Sequence, residues 1–103
     1  MPSIADLERL LAKDPGDAFV LYGLAQEHAK LGRHAEAVAF YDKCLAADPA
    51  YCYAYFHKAK ALEAADRESD AVATLTAGLA AAKAARDHHA LSEIQGYLDE
   101  LSP

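Results

Sequence analysis

The sequence predicts an all-α solenoid, a stack of antiparallel helix pairs with about six helices in one domain over residues 1–103, and three observations carry that expectation. Its punctuation repeats: Asp14-Pro15 and Asp48-Pro49 lie 34 positions apart, as do Ala37-Val38 and Ala71-Val72. That interval is the period of a helix-turn-helix repeat, in which each unit buries its apolar face on the next. About a quarter of the chain is alanine, which favours helix and lets backbones approach while adding little burial area. Four prolines and five glycines, several at helix boundaries, leave little sign of a sheet or a long loop.

Each helix can be justified in order. Ser3 is an N-cap with Asp6 in the place of a capping-box acid, and Ile4, Leu7, Leu10 and Leu11 share one face before Asp14-Pro15-Gly16 stops the segment. Asp17 can cap the next helix, Ala18 to Leu31, and Gly32 supplies the left-handed turn that a Cβ makes costly. The partner helix, His34 to Ala47, buries Ala37, Val38, Tyr41 and Leu45. From Tyr51 to Ala65 the layout recurs with Tyr55, Ala59 and Leu62 inward, and Asp66 takes the glycine's place. Glu68 to Ala85 buries Ala71, Val72, Leu75 and Leu79 and runs long because no proline stops it. After Arg86-Asp87, Leu91, Ile94, Leu98 and Leu101 form a last apolar stripe at helical spacing.

These residues also carry a family resemblance. Counting Ala18 as position 1, Leu21, Leu24, Ala25, His28, Gly32, Ala37, Tyr41, Cys44 and Pro49 stand where the tetratricopeptide repeat has its signature residues. A second copy from Cys52 matches with Tyr55, Ala59, Leu62, Ala71, Leu75 and Gly78, but Lys58, Asp66 and Lys83 replace a core Leu, the turn Gly and the closing Pro. The resemblance implies a right-handed superhelix with a capping half-repeat at 1–15, a full repeat at 18–51, a degenerate one at 52–86 and a capping helix at 87–103. It also implies that first helices line a concave groove. The groove positions then fall on Phe19, Tyr22, Gly23, Gln26 and Ala29, on Tyr53, Phe56, His57, Lys60 and Glu63, and on His89, Ser92, Glu93, Gly96 and Asp99.

The expected function is a non-catalytic interaction module or scaffold whose groove binds a peptide segment of a partner protein, with Phe19, Tyr22, Gln26, Tyr53, Phe56, His57, Lys60 and Glu63 as its site. Tyr22 and Phe56 are the apolar anchors, and Gln26, His57 and Lys60 the polar contacts. In the alternative for this surface, Phe19 and Tyr53 lean on the preceding helix pair and the strip is smaller. Family members that clamp acidic C-terminal tails resemble one another in cations and amides that here read Tyr22, Gln26, His57, His89 and Glu93, so that ligand is not expected. A second class of function is a self-associating structural protein that docks through an end helix, and the expected state is a monomer or weak homodimer. A third is a small metal- or ligand-dependent enzyme.

Composition bears on these classes. A net charge of −6 without a basic stripe argues against nucleic acid. No apolar run approaches the roughly 20 residues of a membrane span, and the start MPSIADLERLL lacks a signal peptide's order, which points to the cytoplasm. Cys44 and Cys52 fall at small-residue positions with no CxxC and are read as reduced. The five histidines show no metal-ligand spacing, and no paired nucleophile and base or phosphate-binding loop is present, so no metal, cofactor or catalytic residue is expected. Ala37 is read as a close-approach position, so Ala37→Leu is expected to lower unfolding free energy by roughly 1–3 kcal/mol in a urea titration; an unchanged midpoint would count against close packing there.

Overall fold

Local hydrogen-bond chemistry sets the helix ends. In the computed structural model, which describes residues 2–102, the chain forms α1 (Ile4–Lys13), α2 (Ala18–Lys30), α3 (His34–Ala47), α4 (Cys52–Ala64), α5 (Glu68–Ala85) and α6 (His88–Leu101). Met1 and Pro103, the ends of the expected 1–103 unit, lie outside the described residues. Ser3 and Asp6 form a reciprocal capping box on α1, each side chain accepting the other's backbone N–H at 3.1 Å. The Asp17 carboxylate accepts the N–H groups of Phe19 and Val20, and Asp87 accepts that of Ala90. Asp14 and Asp48 each fold back to accept the N–H two residues on, from Gly16 and Ala50, so the repeated Asp-Pro-x stretch builds one turn twice.

The other three connections share a different closure. Arg33, Arg67 and Asp87 donate their N–H groups to the carbonyls of His28, Leu62 and Ala82, five residues back, which satisfies carbonyls left open at a helix end. Gly32 (φ 75°), Asp66 (φ 60°) and Arg86 (φ 56°) supply the left-handed residue that this closure requires. Asp66 does what was expected of it. Arg86 adopts the same conformation although no glycine or asparagine signals a turn there.

The helices pack as sequential antiparallel pairs. Leu21, Ala25, Ala37, Tyr41 and Cys44 form one buried cluster with Ala54 and Ala61; Ala59, Leu62, Ala71, Leu75, Ala82, Ala90 and Ile94 form the next. Lys58, in place of a core leucine, keeps only 22% of its side chain exposed and sets its ammonium 2.6 Å from Asp42, so its stem packs while its charge reaches α3. No helix among the described residues is long and apolar enough to cross a membrane.

Two stripes differ from expectation. Leu10 does not join the buried face of α1; it is 48% exposed, while Leu7 is buried with Ile4 and Leu11 alongside. An end helix has one neighbour, here α2, and buries only a narrow stripe. On α6 the fully buried positions are Ala90 and Ile94, with Tyr97 nearly so, and Leu91, Leu98 and Leu101 flank them half-buried.

Gly78 marks the tightest approach. A Cβ there would lie 2.8 Å from the Tyr55 Cβ and 3.3 Å from the Ile94 Cδ1, whereas one at Gly96 would meet nothing within 4 Å. Alanine in place of a helical glycine ordinarily gains up to about 1 kcal/mol. Gly96→Ala is therefore expected to stabilise the protein by about that much, and Gly78→Ala to destabilise it by about 1–3 kcal/mol, because overpacking outweighs propensity. Denaturant midpoints of the two variants test the difference, and shifts of the same sign would defeat the account.

Candidate functional site

The curvature of the stack locates the site. Among the described residues the backbone of α2 approaches α4 and that of α4 approaches α6, while the backbones of α3 and α5 stay apart. The inner row is closed and the outer row open, so α2, α4 and α6 line the concave side.

A chain of aromatic contacts runs along this side. The Tyr22 ring lies 5.9 Å from His57, His57 lies 5.3 Å from Phe56, and Phe56 lies 5.3 Å from Tyr97. All are spacings at which edge-to-face or offset ring pairs attract. Tyr22 is further held by Tyr51 at 4.9 Å and Tyr41 at 6.0 Å.

Gln26 fixes the polar side of that floor. Its Nε2 donates to the Tyr22 hydroxyl at 3.2 Å, and its Oε1 accepts from the Tyr41 hydroxyl, so one amide joins a groove ring to a core ring. Tyr22, already an acceptor, keeps its own proton to donate. Burial, reinforced by Tyr51, Cys44 and Tyr53, pushes the Tyr22 hydroxyl up to about 12. His57 is shifted the other way, below the ordinary histidine value, by burial and then by the Lys60 ammonium, with Glu93 opposing; at neutral pH it is an uncharged ring.

Six of the eight expected site residues divide between two hollows. Phe56, Lys60 and Glu63 on α4 face Glu93, Gly96 and Tyr97 on α6 across a pocket of about 590 Å³. Phe19, Tyr22 and Gln26 join Leu7 of α1 and Lys30 in a smaller, more apolar one of about 230 Å³. His57 bridges the two through its ring contacts. Tyr53 stands apart, half-buried, with His89 6.3 Å away. Phe19 does not lean on another pair; it is 73% exposed.

Tyr97 and Tyr51 belong to the floor and were not among the expected residues. The Tyr97 hydroxyl donates to Glu63 Oε1 at 2.5 Å across 34 positions of chain. Burial, then this bond to a carboxylate, raises the Tyr97 hydroxyl well above the usual range. Cys44 and Cys52 are free and buried, and burial pushes the Cys44 thiol up to about 11, away from nucleophilic use at neutral pH.

The family model described as tetratricopeptide repeat matches residues 18–51. A tetratricopeptide repeat domain protein from Salinibacter ruber, solved by NMR, is 35% identical to the chain, covers 86% of it and 90% of itself, and superposes with a TM-score of 0.80. The chain belongs to the tetratricopeptide repeat family. Two yeast Sti1 structures also share this tetratricopeptide fold at 26% identity. One, a TPR2B domain in complex with pHsp70, covers 96% of this chain and 79% of its own with a TM-score of 0.89. The other, a TPR2AB domain in complex with pHSP90, covers 97% and 39% with a TM-score of 0.90. Comparison with curated proteins returned no match.

In this tetratricopeptide stack all six tyrosines hold their protons above the ordinary tyrosine value, Tyr22, Tyr41 and Tyr97 most strongly. The unfolded chain, ionising near pH 10, then binds fewer protons than the native one, so stability falls with rising pH. The contribution is complete below about pH 9 and is lost as pH climbs through about 10 to 12. Thermal unfolding followed across that window should show the decline, and Tyr41→Phe/Tyr97→Phe should make it shallower; an unchanged slope would remove these hydroxyls as its cause.

Proposed function

We propose that the protein is a non-catalytic interaction module that takes a peptide segment of a partner protein along the concave side of α2, α4 and α6. The observation that carries this reading is the aromatic floor from Tyr22 through His57 and Phe56 to Tyr97, with a hollow at each end. Rigid rings in a concave site supply apolar contact at small entropic cost, and a few polar groups fix orientation. Tyr22 and Phe56 are the anchors. The Tyr22 hydroxyl, Gln26 and the neutral His57 orient the segment, while Phe19, Tyr53, Lys60 and Glu63 border it. The relatives in complex with pHsp70 and pHSP90 support a peptide as the class of ligand. An acidic C-terminal tail is not the ligand proposed here, because the positions that would clamp it hold Tyr22, Gln26, His57, His89 and Glu93.

Selection of a displayed random dodecapeptide library on the immobilised protein tests this reading. Enriched peptides are expected to bind the native chain and to lose at least about tenfold in affinity, roughly 1.4 kcal/mol, on a Tyr22→Ser/Phe56→Ser variant of unchanged helicity. Equal binding to both proteins would move the site off the groove.

A further inference from the structure

We infer that the α4–α6 end of the groove is a cation subsite, which receives a lysine or arginine side chain of the bound segment. This inference rests on the groove reading above and adds the chemistry of what the groove selects.

The pocket between α4 and α6 has an aromatic floor and an acidic rim. Phe56 and Tyr97 form the floor, their rings 5.3 Å apart and inclined at 58°. Glu63, Glu93 and Glu100 form the rim, three carboxylates against the single ammonium of Lys60. Lys60 already shows what this floor does with a cation: its Nζ stands 5.1 Å from the centroid of the Phe56 ring, within cation–π range. The carboxylates keep acceptor capacity for a guest. Glu63 accepts the Tyr97 hydroxyl's hydrogen bond on Oε1 alone, and Glu93 meets the His89 imidazole, 3.0 Å from its Oε1, with one oxygen to spare.

Two other occupants fit less well. Among the described residues no three acidic, histidine or cysteine side chains are gathered closely enough to hold a metal ion. An anionic segment would meet three like charges over a ring face whose quadrupole also repels it. An alkylammonium or guanidinium group satisfies both floor and rim, with its stem on the rings and its head on the carboxylates. The neighbouring hollow at Leu7, Phe19 and Tyr22 is the more apolar, so the segment is basic over α4 and α6 and apolar over α2.

The same library selection tests the subsite through the composition of the enriched peptides and their response to charge. Enriched peptides should carry lysine or arginine. A synthetic copy of one should bind about three- to tenfold more weakly to the Glu93→Gln/Glu100→Gln variant, where both substitutions are at exposed α6 positions, and more weakly in high salt. It should bind more tightly to Lys60→Ala, which removes the competing cation. Peptides that need Tyr22 and Phe56 but are neutral or acidic, or basic ones indifferent to all three changes, would overturn the cation subsite and leave the groove reading standing. No enrichment, or peptides held equally by Tyr22→Ser/Phe56→Ser, would overturn both.

Discussion

Ala25, Ala37, Ala54, Ala59, Ala71, Ala82 and Ala90 expose essentially no surface, and with Gly78 they line the contacts between neighbouring helices. Small side chains there let backbones approach closely, and the large residues Tyr41, Leu62, Leu75 and Ile94 fill the space beside them. Everything else depends on that alternation. A stack of thin helices can bring α2, α4 and α6 into one closed row only if the side chains between them are short. The concave face, with its rings and hollows, is what remains on the inner side of that row.

Tyrosine hydroxyls connect this packing to the groove. Tyr41 is buried in the α2–α3 contact, and its hydroxyl holds Gln26, which in turn holds Tyr22. Tyr97 packs under α6 and holds Glu63 on α4. Tyr55 covers Gly78 and donates to the Pro49 carbonyl, tying α4 to the turn that precedes it. In each case a ring contributes burial and its polar tip orients a neighbour. The groove side chains are therefore positioned by the core behind them, on rigid helices, with Tyr51 of the α3–α4 turn added beside Tyr22.

Much of this was legible in the residues themselves. The helix ends could be read because they rest on local chemistry, Asp14 and Asp48 at the two Asp-Pro turns, Ser3 and Asp17 as caps, Gly32 and Asp66 as left-handed residues. The division between inner and outer helices followed from the family resemblance. What could not be read was contact across elements. Leu10 has helical spacing with Leu7 but lacks a second neighbouring helix to cover it. Tyr97 stands outside the Leu91, Ile94, Leu98 and Leu101 stripe, and its bond to Glu63 is a contact between helices that helical spacing does not announce. Tyr51 reaches Tyr22 only because the Asp48 turn brings it there. Arg86 takes its conformation from the backbone closure onto Ala82, which no side chain announces.

The pattern of helix contacts also has a kinetic meaning. Every helix meets only the next one along the chain or, on the inner row, the next but one. Such a topology needs no long loop to close before native contacts can form, and chains of low contact order fold quickly. Each helix pair can nucleate by itself and grow outward. The least protected part of the finished molecule is then α1, which has a single partner helix and will open first while α4, packed on α2, α3, α5 and α6, opens last.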